Sequence, residues 1–108
     1  MSAPVTPPWE IDPREARRRQ AAGAVLVDVR EPGEWALGVP EGARTIALGA
    51  LPGSRDRLPP PDTELLTICA SGRRSVPASN QLAALGFKAM NVEGGTSGWI
   101  SAGQPVEK

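Results

Sequence analysis

The sequence predicts an α/β fold: a small, mostly parallel sheet of about five strands with helices on both faces. Three observations carry this. Residues 25–29 and 64–68 are apolar runs, the first rich in β-branched residues and the second bounded by turn signals, as buried strands are. Helical patterns alternate with strand patterns along the chain, the order that gives parallel strands joined by right-handed crossovers. The length of 108 residues suffices for one core and not for two. Residues 1–8 hold three prolines and no periodicity, so a flexible lead-in is expected there, with residues 9–108 as a single domain.

Each element has its own justification. Trp9 and Ile11 read as a short edge strand. Asp12-Pro13-Arg14-Glu15 opens a helix, with Asp12 as cap, Pro13 at the first helical position and Glu15 reaching back as in a capping box. That helix is expected to reach about Ala22 and stop at Gly23. Arg17, Arg18 and Arg19 read either as a nucleic-acid patch or as a solvated face near a helix C-terminus, where cations are favoured; the second reading is preferred. In the strand at 25–29, Asp28 needs a partner, because a buried carboxylate is costly alone. Arg30 follows at the C-terminal end, the sheet edge where ligands sit in open α/β folds. Its planar fork suits anion binding and a structural ion pair equally.

Residues 32–37 read as a short helix with Trp35 in the core. A turn at 38–43 uses Gly42, a short strand covers 45–48, and a weak helical stretch at 51–58 is interrupted by Pro52 and Gly53. The prolines of 59–62 form a stiff connector. The strand at 64–68 then runs into Cys69, and a helix follows from 75 to 85 with Ala78, Leu82 and Leu85 on one face and Gly86 as its stop. Residues 87–92 make a further strand. Glu93-Gly94-Gly95 turn at its end, on the same sheet edge as Cys69, with backbone passing close to a ligand or to a neighbouring loop. Thr96 is expected to cap a last helix carrying Trp99 and Ile100, before a polar tail.

Composition narrows the function. Lysine plus arginine equal aspartate plus glutamate, so no net charge draws the chain to nucleic acid or membrane. Histidine is absent, which excludes an imidazole base and the common Cys/His zinc sites; no metal and no organic cofactor is expected. The single cysteine cannot form an internal disulfide. No apolar run is long enough to span a membrane and no signal segment opens the chain, so a soluble cytoplasmic protein is expected. The oligomeric state is left open.

Cys69 sits where a strand ends just before a helix begins. Amides of a tight loop and a helix start converge there and favour a thiolate, the reactive form. A helix dipole alone contributes roughly 0.3–1 kcal/mol, about 2 in a sheltered place, equivalent to at most ~1.5 pKa units. Arg73 and Arg74 can lower the thiol further; Gly72 permits the tight turn, and Ser71 and Ser75 offer hydroxyl donors. Taken alone, a free cysteine is more often a small buried hydrophobe. The loop reverses that reading, since a packing residue needs neither Gly72, Arg74 and Ser75 nor a helix start.

The segment Cys69-Ala70-Ser71-Gly72-Arg73-Arg74-Ser75 resembles the active-site loop of rhodanese-type sulfurtransferases, C-x-x-G-x-R-S. Asp28-Val29-Arg30-Glu31-Pro32 with Glu34-Trp35, and Glu93-Gly94-Gly95 followed by Trp99, resemble the flanking motifs of that family in the same order. The matches span residues 25–99. The resemblance implies a rhodanese-like fold and a thiosulfate sulfurtransferase-type enzyme. Cys69 would take sulfane sulfur from a donor such as thiosulfate as a persulfide, then pass it to cyanide, a cellular thiol or a protein acceptor. It implies that Ala70, Ser71, Gly72, Arg73, Arg74 and Ser75 form the substrate-binding loop. Arg30 and Asp28 would serve anion binding or structural support, and Arg74 would touch substrate or brace the loop through a carboxylate such as Asp28.

Two departures qualify the resemblance. Gly38-Val39-Pro40-Glu41-Gly42-Ala43 has Val39 where the family's G-H-x-P-G-A turn has histidine, so that side chain has no role here. Ala70 and Ser71 are neutral where thiosulfate-preferring members carry cations, which predicts modest thiosulfate affinity. Two other functions compete. Cysteine-dependent phosphatases resemble the loop but place five residues between cysteine and arginine; four separate Cys69 and Arg74, and the shorter ring encloses a sulfur atom more easily than a tetrahedral oxyanion, which makes this the less favoured reading. Arsenate reduction, disfavoured by the same count, also lacks a second cysteine. A non-catalytic rhodanese-like binding module would use Cys69 for packing alone.

Overall fold

The structure is a computed structural model that describes residues 9–107. The lead-in expected at 1–8 therefore lies outside the described residues. In chain order the elements are β1 (Glu10–Ile11), α1 (Pro13–Ala21), β2 (Val25–Asp28), α2 (Pro32–Trp35), β3 (Val39–Pro40) and β4 (Arg44–Thr45). Two 3-10 helices follow (Leu48–Gly53 and Arg55–Arg57), then β5 (Glu64–Ile68), α3 (Ser75–Ala84), β6 (Lys88–Val92), α4 (Gly95–Ser101) and β7 (Val106–Glu107).

Five strands pair in the order β1-β6-β5-β2-β4, and every pairing is parallel. β5 is the central strand, so Cys69 leaves the sheet from its middle. The period-two alternation of strand side chains builds two apolar layers. Val27 and Leu65 face one way and pack with Leu51, Ala78, Leu82 and Phe87, beneath α3 and the first 3-10 helix. Leu26, Leu66 and Ile68 face the other way and pack with Ala16 of α1 and Trp99 of α4. Each fully buried leucine of these strands contributes about 1.5–3 kcal/mol relative to exposure.

Helix α1 begins as its sequence requires. Asp12 accepts the Glu15 N–H at 2.8 Å, and Pro13 fills the first helical position. The return half of the capping box is missing, because the Glu15 carboxylate instead pairs with Arg18 and Arg19 at 2.7 and 2.8 Å. Arg19 also reaches Glu64, and Arg17 reaches Glu41 at 2.5 Å. The arginine run is thus a surface of ion pairs, in keeping with the solvated-face reading. No helix among the described residues is long and apolar enough to cross a membrane.

Four local expectations change. The strand expected at 45–48 is only Arg44–Thr45. Hydrogen bonds from Ile46 N–H to Asp28 and from Leu48 N–H to Val29 keep the chain beside β2, but Leu48 already opens a 3-10 helix. The expected turn at 38–43 and the polar tail meet as a small antiparallel ribbon, β3 with β7. Two-residue strands have no periodicity to read. Gly94, in the left-handed region at φ 75°, takes the cap position of α4, and Thr96 lies inside the helix. Trp35 is half-buried and outside both apolar layers, because the single turn of α2 carries no buried residue.

Candidate active site

Cys69 is placed by β5, which is held on both sides by hydrogen-bonded neighbours. The next residues swing across the C-terminal edge of the sheet toward α3. The start of α4 fastens this loop: the N–H groups of Thr96 and Ser97 donate to the carbonyls of Cys69 and Ala70 at 2.7 and 3.2 Å. Gly95 permits that approach. A Cβ there would stand 2.6 and 2.7 Å from the Ala70 carbonyl carbon and oxygen, and closer still to the Cys69 oxygen. Gly72, at φ 97°, lies less closely against the same turn: a Cβ there would stand 3.3 Å from the Gly94 nitrogen. The glycine pair therefore serves a neighbouring loop.

The sulfur is 1% exposed at the residue level and packs against the α3-side layer, yet polar donors meet it. The Gly72 N–H donates to Sγ at 3.1 Å and the Ser75 hydroxyl lies at 3.4 Å. Burial pushes the thiol up. The Ser75 hydroxyl and the N–H groups of Ser75, Ser71 and Gly72 more than offset it, so Cys69 titrates below the ordinary thiol value. From the sequence, Arg73 and Arg74 are expected to add to this effect. The structure gives the larger part to amides and one hydroxyl.

The arginines have other duties. Arg74 makes a two-point contact with Glu34 of α2, at 2.6 and 2.8 Å, and not with Asp28. That pairing raises the Arg74 pKa and holds the Glu34 carboxyl down at about 2, with help from the Glu31 N–H. Asp28 and Arg30 pair with each other beneath the loop, 0% and 5% exposed. The Arg30 Nη2 is 2.7 Å from Asp28 and 2.7 Å from the Gly38 carbonyl oxygen, and Nη1 reaches the Glu34 carbonyl oxygen at 3.4 Å. Both ends of its fork are occupied, which favours the structural role. Arg73 is exposed and makes no ion pair among the described residues.

Three contributors were not singled out from the sequence. In the sequence Glu34 stands out only as part of a motif, Asn91 only as a strand residue, and Glu10 not at all. Asn91 on β6 is fully buried, bonded to the Ser75 hydroxyl and, through Nδ2, to the Glu10 carboxylate at 2.8 Å. The available signal is an amide side chain set between Met90 and Val92 in a strand, since a buried amide needs partners. No acidic or cysteine side chains among the described residues cluster as metal ligands would. A cleft of about 530 Å³ between α1 and the turn at Glu41 shares no residue with the Cys69 loop.

A family model described as a rhodanese-like domain matches residues 12–102. A Bacillus subtilis protein whose name marks it as a candidate sulfurtransferase, YtwF, is 40% identical over 80 residues, covering 74% of this chain and 77% of its own. A sulfurtransferase of Allochromatium vinosum is 31% identical over 100 residues, covering 90% and 92%. The crystal structure of a rhodanese-related protein from Thermoplasma volcanium superposes with a TM-score of 0.81 at 32% identity, over 91% of this chain and 96% of that one.

Proposed function

This chain belongs to the rhodanese-like domain family, and from that premise we propose that it is a sulfurtransferase working through a Cys69 persulfide. The Cys69 thiolate attacks the outer sulfur of a donor such as thiosulfate. A sulfur–sulfur bond forms to Cys69, and sulfite leaves with the electron pair of the broken bond. A thiophilic acceptor, cyanide or a cellular thiol, then attacks the outer sulfur and restores the thiolate. No general base is required in either half, in keeping with a sequence that has no histidine. The observation that carries this reading is the set of N–H and hydroxyl donors around Sγ, which stabilises an anion in a dry site.

The remaining roles follow. Residues 70–75 supply the cradle, with Gly72 and Ser75 as donors. Arg74 braces it through Glu34, while Arg73, exposed at the loop, supplies positive potential toward an anionic donor. Neutral Ala70 and Ser71 keep thiosulfate affinity modest, so a low-molecular-weight or protein persulfide is an equally suitable donor. A lone thiol that cycles through a persulfide suits a reducing, cytoplasmic setting. Residues 9–108 are taken as one folded unit.

Mass spectrometry after incubation with thiosulfate tests the reaction. A gain of one sulfur atom is expected, lost in Cys69→Ser. Near-complete burial of Cys69 favours one competing reading, a binding module with a packing cysteine. Absence of the added sulfur with thiosulfate, and with a glutathione persulfide donor, would establish that reading instead.

A further inference from the structure

The Ser75 hydroxyl has one proton and two acceptors. It lies 3.4 Å from Cys69 Sγ, and it hydrogen-bonds the side-chain carbonyl oxygen of Asn91. The orientation of the Asn91 amide is fixed from its other end. Nδ2 faces the Glu10 carboxylate at 2.8 Å and the Gly72 carbonyl oxygen at 3.4 Å, and both can only accept. Oδ1 must therefore point at Ser75, where it too can only accept. Asn91 is fully buried, and its Oδ1 has no hydrogen-bond donor other than Ser75 among the described residues. The backbone beneath is fixed as well: Thr67 Oγ1 donates to the Ser75 carbonyl oxygen at 2.9 Å, and Thr67 lies beside Asn91 in the strand register.

We propose that Asn91, oriented by Glu10, is a positioning residue that competes with the Cys69 sulfur for the Ser75 hydroxyl proton. With a thiol at position 69, the hydroxyl donates to Asn91. When the sulfur is an anion, the hydroxyl turns to it and leaves a buried carbonyl oxygen without a donor, which opposes the turn. Asn91 thus holds the sulfur less ionised, and more nucleophilic once ionised, than the cradle alone would make it, because a thiolate loses intrinsic reactivity as it becomes less basic. This deepens the sulfurtransferase reading and rests on it for its purpose. The charged groups around Cys69 are Arg73, exposed in its own loop, Arg74 tied to Glu34, the Asp28–Arg30 pair at the end of β2, and Glu10 beyond Asn91. None is itself substituted below, although Asn91→Leu removes the hydrogen bond that Glu10 accepts from Nδ2.

The test is the pH dependence of Cys69 alkylation by iodoacetamide. Asn91→Leu, close in shape and without an acceptor, should lower the apparent pKa of Cys69. The alkylation rate well below the wild-type midpoint should rise about three- to tenfold. In a Ser75→Ala background the same substitution should have no effect, since the coupling passes through that hydroxyl. An unchanged or raised pKa in Asn91→Leu, or a shift that persists without the hydroxyl, would overturn the proposal. Should Asn91→Leu fail to fold, Asn91→Ala carries the same expectation. Alkylation does not depend on turnover, so failure to gain sulfur from thiosulfate would sink the sulfurtransferase reading while leaving this result to stand or fall separately.

Discussion

Glu34 and Arg74 stand forty residues apart in the chain and meet at two points, 2.6 and 2.8 Å, tying the single turn of α2 to the residue that caps α3. The pair closes one side of the cysteine loop without touching the sulfur. Its charge is already balanced, so its effect on the site is mechanical before it is electrostatic.

The pairing makes stability depend on acid. The Glu34 carboxyl is held at about 2 when folded, against an ordinary value of 4.5. A lowered carboxyl pKa stabilises the fold fully above the ordinary value, and the contribution is lost as pH falls toward the folded one. The two side chains are 37% and 30% exposed, so water screens them and about 0.5–1 kcal/mol is expected. Urea denaturation should show Glu34→Gln flattening the stability profile between roughly pH 5 and 2. A wild-type and a variant profile that stay parallel there would refute this.

Gly95 should tolerate no side chain. Gly95→Ala forces a Cβ onto the Cys69 and Ala70 carbonyls from a left-handed backbone, φ 60°. A loss of about 2–4 kcal/mol is expected from overlap and strain together, along with loss of the selective reactivity of Cys69. Gly86→Ala is the control: φ is 97° but nothing lies within 4 Å of the added carbon, so only the backbone term of about 1–2 kcal/mol applies. Equal thermal shifts in the two variants would contradict the close packing of the 94–95 turn on the loop.

The buried Asp28–Arg30 pair predicts an asymmetric mutational pattern. Arg30→Met strands a carboxylate that is 0% exposed and should cost about 3–5 kcal/mol, whereas Asp28→Leu with Arg30→Met together should restore much of it. Chemical denaturation of the three proteins checks this. If Arg30→Met instead folds normally and only weakens donor binding, the anion-binding role is the correct one.

Ser75→Ala removes the one side-chain hydroxyl that donates to the sulfur. The thiol pKa should rise, and alkylation at pH 7 should slow by up to about three- to tenfold while the rate at high pH holds or rises slightly, because a more basic thiolate is intrinsically more reactive. Leaving the Asn91 carbonyl oxygen unpaired should cost about 1–3 kcal/mol of stability in addition. A uniform slowing at all pH values would indicate distortion of the loop in place of a lost hydrogen bond.

Much of this was legible in the sequence because it is local. The runs at 25–29 and 64–68 announce strands through burial on both faces, and the cysteine loop through glycine, hydroxyl and arginine spacing. What stayed hidden is long-range. Which carboxylate Arg74 would find depends on where a one-turn helix is carried by the fold, and no pattern near Arg74 encodes Glu34. Asn91 looked like an ordinary strand position, and its purpose emerges only when β6 lies beside β5 and faces Ser75. The β3–β7 ribbon is too short for alternation to exist.

The partners that shelter the sulfur come from opposite directions along the chain. Glu10 precedes Cys69, whereas Asn91, Gly95 and Thr96 follow it. Translation runs from N to C at about 5–20 residues per second. For a second or more, a nascent chain is expected to carry a Cys69 loop that the amides of α4 have not yet fastened. A settled geometry at Cys69 is therefore an outcome of finished folding, and a ribosome-bound intermediate arrested before α4 is expected to expose a cysteine whose donors are present in the chain but not yet held around it.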